Sequence, residues 1–234
     1  MAEDLLKDFN PFDIFDAEAV RLDWHFAGLD EAGWQRPSRC EGWSVRDVLA
    51  HLAGEELYNH ACLDGTVDDL MDRLASVGVS GFVDFNEWCV RERRDLPVEE
   101  VLAEWRTQNG ETRHRMRALG RDGTLATMAG PYPVGLQTFH YDSEYATHAD
   151  DVYAHVSDAE ADGRTLWRVA VGRFVLAEQD SKVQVEQTAD QIWVALDGTS
   201  AALSYPEFVE ATVGRLPASH GLDPRIASAL RCLA

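Results

Sequence analysis

The chain has 234 residues, 45% of them hydrophobic and 9% aromatic, which supports a real core and excludes an intrinsically disordered protein. Its formal net charge of −20 excludes a protein that grips a nucleic-acid backbone, because such binding needs clustered lysine and arginine. No run approaches the roughly 18 apolar residues of a membrane span, so we expect no membrane insertion.

The N-terminus and the cysteines both indicate a cytoplasmic protein. The first residues lack the basic region and apolar stretch of a signal peptide. The four cysteines are scattered without a C-x-x-C pair, so we expect free thiols in a reducing compartment. For Cys40 we favour a small buried apolar side chain over a thiol that faces a pocket.

The first predicted helix covers residues 13–32, where apolar residues recur at spacings of seven, four and three, and Gly33 closes it. After a proline-containing turn, Ser44 and Asp47 predict the start of a second helix, which runs to about Cys62 and stops at residues 64–65.

His51 lies inside this second helix, one position from its apolar face. Two interpretations are open: a core histidine that hydrogen-bonds a carbonyl, or a functional histidine. Glu55 lies one turn further along and is either a solvated charge or a residue that orients or assists a bound ligand.

The middle of the chain is predicted to be irregular at 66–81, helical at 83–94 and again helical at 98–119. Residues 120–135 contain glycines and two prolines, which predict a loop. The loop leads into the segment 139–151.

This segment contains Glu144 and His148, whose spacing of four stacks them on one face of a helix. In so acidic a chain, chance gives roughly one or two acids four residues before a histidine, so the spacing alone is weak evidence. If this helix faces the helix of His51, the three residues offer two imidazoles and a carboxylate. That set suits Zn²⁺ with an open fourth position, as in catalytic zinc sites.

The string SRCEGWSVRDVLAHL at residues 38–52 resembles the opening of the mycothiol-dependent maleylpyruvate isomerase family, a branch of the DinB-like metalloenzymes. The family's second signature, E-x-x-x-H-x-x-D, is met by Glu144, His148 and Asp151. The resemblance covers about residues 10–157 and implies a four-helix bundle.

The resemblance also implies roles for individual residues. His51, Glu144 and His148 become the metal ligands, and Asp151 supports a ligand or packs the helices. Many members carry arginine three residues before the ligand glutamate, where this chain has Tyr141; this departure leaves the substrate open.

Further candidates are less specific. His140 can be a fourth ligand, a general base or a residue at the pocket rim, so we take it with Glu55 as a catalytic candidate. Arg215 resembles part of a recurring Gly-Arg pair of the family, and it can hold a carboxylate or act only as a partner of the helix dipole. We take it with Tyr141 as a candidate for cofactor binding.

After residues 159–163 the periodicity changes. A helix is expected at 166–178, two antiparallel strands at 182–186 and 190–197, and a capped helix after Ser204. We therefore expect a mainly α protein, with a DinB-like four-helix bundle over 1–160 and a small α+β domain over 165–234.

The function implied by the resemblance is that of a zinc enzyme that uses mycothiol as cosubstrate. A thiolate at the metal adds to an electrophilic small molecule, and the outcome is cis–trans isomerisation or thiol S-transfer. A monomer or a homodimer is expected. The alternatives are a DinB-like metal enzyme that uses no thiol and a metal-binding protein without catalytic activity.

Overall fold

The computed structural model describes residues 2–233. The chain divides into two compact units, and Pro11–His155 form the helical unit. Residues 2–10 join 156–233 in the other, the C-terminal unit. The sequence-based division at residues 160–165 lies a few positions later and placed the N-terminal residues with the bundle.

The helical unit contains seven helices and one hairpin. Its elements are α1 Pro11–Ala27, α2 Glu31–Gln35, α3 Val45–Asp64, α4 Val67–Ser76, α5 Gly81–Arg93, α6 Val98–Leu119, β1 Thr124–Thr127, β2 Gly130–Pro133 and α7 Val134–Asp151.

Four of these helices form the bundle that the sequence predicts. Helix α3 packs mainly against α6, and α1 packs mainly against α7. Large side chains fill the space between them, among them Phe15, Phe26, Trp105 and Tyr145. Edge-to-face contacts join Phe15 to Tyr145 at 4.9 Å and Phe26 to Trp105 at 5.7 Å between ring centroids.

Helix α3 begins and ends where the sequence predicts. The Ser44 hydroxyl oxygen accepts a hydrogen bond from the Asp47 backbone N–H, and the Asp47 carboxylate accepts one from the Ser44 N–H at 2.9 Å. At the other end, Gly65 takes the left-handed conformation with φ 69°, which ends the helix after Asp64.

Three local predictions need correction. The predicted helix 13–32 ends at Ala27, because Asp30 caps α2 by accepting a hydrogen bond from the Gly33 N–H. Helix α4 occupies most of the stretch predicted to be irregular, where buried Val67, Leu70 and Leu74 form its apolar face.

The predicted loop at 120–135 contains an antiparallel hairpin instead. Pro131 and Pro133 are tolerated because β2 is an edge strand that pairs only with β1. The missing N–H groups of the prolines therefore interrupt no hydrogen bonds to a further strand.

The C-terminal unit contains α8 Asp158–Glu178, β3 Gln184–Gln187, β4 Ile192–Leu196, β5 Thr199–Leu203, α9 Tyr205–Thr212 and α10 Pro224–Leu230. The strands form one antiparallel sheet in the order β3-β4-β5, so the two predicted strands are confirmed and a third follows them. Helix α8 passes through residues 159–163, where the sequence indicated a break. No helix in the described part of the chain is long and apolar enough to cross a bilayer.

A close approach of α3 to α5 yields a test of this packing. A Cβ atom built on Gly54 would lie 2.3 Å from Cβ of Cys89 and 2.9 Å from the Arg93 side chain. We predict that Gly54→Ala lowers the free energy of unfolding by about 1–3 kcal/mol, because Cys89 Cβ cannot move without its helix. Urea unfolding followed by circular dichroism measures this.

The control is Gly110→Ala on α6, where an added Cβ meets nothing within 4 Å. That variant is expected to be as stable as the wild type or more stable by up to about 1 kcal/mol, from helix propensity. Equal stability of Gly54→Ala and the wild type would contradict the observed contact of α3 with α5.

Candidate metal centre

The centre lies where α3 and α7 face each other inside the helical unit. Helix α3 presents His51, which is 2% exposed, and α7 presents Glu144 and His148 one turn apart. The Nε2 atom of His51 lies 3.3 Å from Oε1 of Glu144. The two imidazole rings meet edge to face at 4.9 Å between centroids. The structure therefore brings together the three residues that the sequence singles out.

The donor atoms of this trio have the dimensions of a metal site. One ligand atom from each of the three residues lies within 4.8 Å of the others. At a tetrahedral zinc ion the usual bond lengths place a nitrogen and an oxygen ligand about 3.3 Å apart, as His51 and Glu144 are. Two imidazoles and one carboxylate fit a divalent ion and leave a fourth position open.

The electrostatics of the trio are those of groups held close together away from water. Burial lowers the pKa of His51, against a hydrogen bond with Glu144. Burial would raise the pKa of Glu144, but the hydrogen bonds with His51 and Glu55 outweigh it and lower that pKa to about 2. Glu144 is thus a carboxylate, the form that binds a metal ion.

Glu55 lies beside the trio, as expected of a residue that assists a bound ligand. Its Oε2 atom is 3.4 Å from Nε2 of His51, and Oε1 has no hydrogen-bond partner among the described residues. Burial, followed by the negative charge of Glu144, raises the pKa of Glu55 well above its ordinary value. Glu55 therefore holds a proton more readily than an exposed glutamate.

A second group of donors meets the trio at His148. Its Nδ1 atom lies 3.3 Å from Oδ2 of Asp151, which is fully buried. The Cys40 thiol donates to the same oxygen at 3.1 Å. Burial would lower the pKa of His148, but hydrogen bonds with Asp151 and Cys40 raise it to about 10. Since Nδ1 faces Asp151, Nε2 is the nitrogen left for an ion.

A buried hydrogen-bond network anchors Glu56, the residue that follows Glu55 on α3. The carboxylate of Glu56 accepts hydrogen bonds from Thr112 at 2.5 Å, Asn109 at 3.0 Å and Tyr145 at 3.0 Å. The Tyr145 hydroxyl in turn accepts from Nε1 of Trp105 at 3.0 Å. These bonds fix α3 to α6 and α7 close to the trio.

One aromatic side chain, Trp43, borders the centre. The Trp43 ring lies 5.2 Å from the His51 ring, and its Nε1 donates to Glu87 at 2.9 Å. An apolar cleft of about 360 Å³ lies elsewhere in the helical unit. Its lining residues are Tyr58, Met71, Leu74, Val79, Gly81, Phe82, Phe85 and Met128.

The other candidates occupy different surroundings. His140 lies one turn before Glu144, and its Nε2 is 3.4 Å from the Tyr132 hydroxyl. Tyr141 is 5% exposed and packs in the core with its ring 5.9 Å from that of Phe15. Arg215 belongs to the C-terminal unit, where its guanidinium donates to the Val213 carbonyl at 3.4 Å.

Two features escaped the sequence interpretation. Cys40 is half-buried and packs against the core, as expected of a small apolar side chain, but its thiol also donates to Asp151, which the sequence did not indicate. Its position eleven residues before His51 gave no signal of a partner 111 residues away. Glu56 was not singled out, because an acidic residue in a helix ordinarily lies in solvent.

Comparisons with known proteins identify the family and the fold. Residues 15–160 match the family described as mycothiol maleylpyruvate isomerase N-terminal domain. Among solved structures, a crystal structure of a mutant mycothiol-dependent maleylpyruvate isomerase superimposes with a TM-score of 0.57 at 15% sequence identity. The alignment covers 88% of each chain, and at this identity it shows a common fold. No curated protein matches the chain.

The contribution of the network around Glu56 to stability can be tested by removing one hydroxyl group, that of Tyr145. Tyr145→Phe keeps the ring but leaves Trp105 and Asn109 with one acceptor fewer and Glu56 with one donor fewer. We predict a loss of about 1–3 kcal/mol in the free energy of unfolding, the cost of buried unpaired polar groups. Thermal and urea unfolding measure it.

Tyr153→Phe is the matched control, because that ring is 53% exposed. Its effect is expected to stay within about 0.5 kcal/mol. A Tyr145→Phe variant as stable as this control would show that the network adds nothing to the support of α3.

Proposed function

The chain belongs to the mycothiol maleylpyruvate isomerase N-terminal domain family, and from this premise we propose that it is a metal-dependent enzyme that uses mycothiol as cosubstrate. The observation that supports the proposal most directly is the trio His51, Glu144 and His148, in which both imidazoles are buried and Glu144 is half-buried. We propose Zn²⁺ as the ion, because two imidazoles and one carboxylate with an open position are typical of catalytic zinc.

Each residue of the trio is proposed to supply one ligand atom to the ion. His51 offers Nε2, Glu144 offers Oε1, and His148 offers Nε2 while Asp151 holds its Nδ1. When bound, such an ion supplies Lewis acidity that lowers the pKa of a thiol in its open position, so that mycothiol reacts as a thiolate near neutral pH.

The proposed reaction is addition of this sulfur to an electrophilic carbon. In an isomerisation, a carbon–sulfur bond forms at a conjugated cis double bond, and the electron pair moves to the conjugated carbonyl group. Rotation about the resulting single bond follows. The electron pair then returns, the carbon–sulfur bond breaks, and the trans isomer leaves with the thiol regenerated. In an S-transfer the carbon–sulfur bond persists, and the carbon next to the carbonyl group takes the proton that the thiol gave up.

Glu55 is the proposed proton carrier for these steps. It lies beside His51, and burial raises its pKa, so it holds and passes on a proton more readily than an exposed glutamate. The Trp43 ring against His51 covers one side of the trio and limits access of water there.

The first test concerns the metal. We predict one divalent ion per chain in the wild type, and binding more than about 100-fold weaker in His51→Ala, since even loss of a residue that supports a ligand commonly costs 10–100-fold. Native mass spectrometry with elemental analysis measures ion identity and stoichiometry. His60→Ala is the control, because His60 lies on α3 but bonds the Gln108 carbonyl instead.

Retention of a full complement of metal in His51→Ala, with the variant folded by circular dichroism, would exclude the proposed ligand set. Loss of metal from both variants would point to damage of α3 rather than to a missing ligand.

The second test concerns the thiol. We predict that titration of mycothiol into the Co²⁺ form raises an intense near-ultraviolet charge-transfer band that saturates at one equivalent. S-methylated mycothiol is the control, because it has no S–H to ionise and is expected to leave the band unchanged.

If no small thiol changed the cobalt spectrum, the thiol-dependent reaction would be ruled out and a water-activating metal enzyme would take its place. A band without turnover of maleylpyruvate would retain the thiol step and favour S-transfer to another electrophile.

A further inference from the structure

The turn at residues 38–43 carries Cys40 to the end of α7. The Ser38 hydroxyl accepts from the Cys40 N–H at 3.1 Å and donates to the Trp43 carbonyl at 2.8 Å, which fixes the shape of the turn. The Arg39 N–H donates to the Asp151 carbonyl at 3.0 Å. Backbone contacts thus hold the thiol beside the Asp151 carboxylate.

Two hydrogen-bond donors converge on one oxygen there. The Cys40 sulfur and Nδ1 of His148 lie 3.1 and 3.3 Å from Oδ2 of Asp151, and 3.9 Å from each other. A carboxylate oxygen accepts more than one hydrogen bond, so it can accept both the S–H and the imidazole N–H. The atoms form a chain from thiol to carboxylate to imidazole.

The same three residues have the donor set of a metal site, but we take Nδ1 of His148 as the proton donor to Asp151. The proton that Asp151 accepts from Nδ1 would have to leave before Nδ1 could bind an ion. With the proton in place, Nε2 remains available to the trio with His51 and Glu144. In this arrangement the hydrogen-bond chain supports the single ion proposed for the trio, and Cys40, Asp151 and His148 all have hydrogen-bond partners.

We propose that Cys40 is a positioning residue for the metal ligand His148 and acts through Asp151. Its S–H holds the Asp151 carboxylate in the orientation that accepts the Nδ1 proton, and this fixes the His148 ring for metal binding. Because Asp151 is fully buried, water cannot replace the missing donor freely when the thiol is removed. The inference rests on the metal site of the proposed function and does not depend on the thiol cosubstrate.

The test is a double-mutant cycle with the Zn²⁺ dissociation constant as readout, measured on the metal-stripped full chain against a competing chelator dye. We expect Cys40→Ala to weaken binding about three- to tenfold, the effect of one hydrogen bond. Cys40→Ser keeps a donor and is expected to stay within about twofold of the wild type. Asp151→Asn is expected to cost about 10–100-fold.

The combined Cys40→Ala and Asp151→Asn variant separates positioning from a merely structural role. If Cys40 acts through Asp151, the double variant binds Zn²⁺ no more than about twofold more weakly than Asp151→Asn alone. Cys232→Ala removes a thiol in the C-terminal unit and serves as the control, with unchanged affinity expected.

Four outcomes would overturn the inference, and the first three are wild-type affinity in Cys40→Ala, fully additive losses in the double variant, and no metal binding by the wild type. A fourth is a thiolate charge-transfer band in the Co²⁺ form without added thiol that disappears in Cys40→Ala, which would make Cys40 itself a ligand. Normal zinc affinities without any response to mycothiol would overturn only the thiol step of the proposed function.

Discussion

The helical unit depends on one electrostatic constraint, the enclosure of ionisable groups of both signs where α3 faces α7. His51 and Glu55 are 2% and 7% exposed, and Nε2 of His51 lies between carboxylate oxygens of Glu55 and Glu144 at 3.4 and 3.3 Å. Removing such groups from water is costly unless each finds a counterpart. A divalent cation fits this place, because it offsets the carboxylate charge and satisfies the imidazole nitrogens together.

Buried carboxylates next to the trio are also compensated for their loss of water, in their case by hydrogen bonds. Glu56 and Asp151 are buried carboxylates on the two facing helices, and each accepts from several donors. A fully paired polar network in a low dielectric is rigid, because breaking any one bond leaves a buried group without a partner. Rigid support on both helices fixes the candidate ligand atoms relative to one another, and such preorganisation favours binding of any ion that they accept.

The sequence predicts what depends on local spacing and misses what depends on distant contacts. The cap of α3 and the four-residue spacing on α7 predict the helices that bring His51, Glu144 and His148 together. Helix α4 had its own signal in Val67, Leu70 and Leu74, but neighbouring glycines in the stretch 66–81 suggested a break. The bond from Cys40 to Asp151 spans 111 residues, and no periodicity connects a turn to the end of a later helix.

At position 141 the fold buries a side chain that departs from the pattern implied by the sequence resemblance. The sequence resemblance implies arginine there in many family members, whereas Tyr141 has its hydroxyl buried without a hydrogen-bond partner among the described residues. Burial raises the pKa of Tyr141 well above its ordinary value, so the hydroxyl is neutral. The guanidinium group of an arginine at this position would carry a positive charge and could bind a carboxylate through two hydrogen bonds. Tyr141 instead packs against Phe15 in the core, so α7 carries no charge at this position.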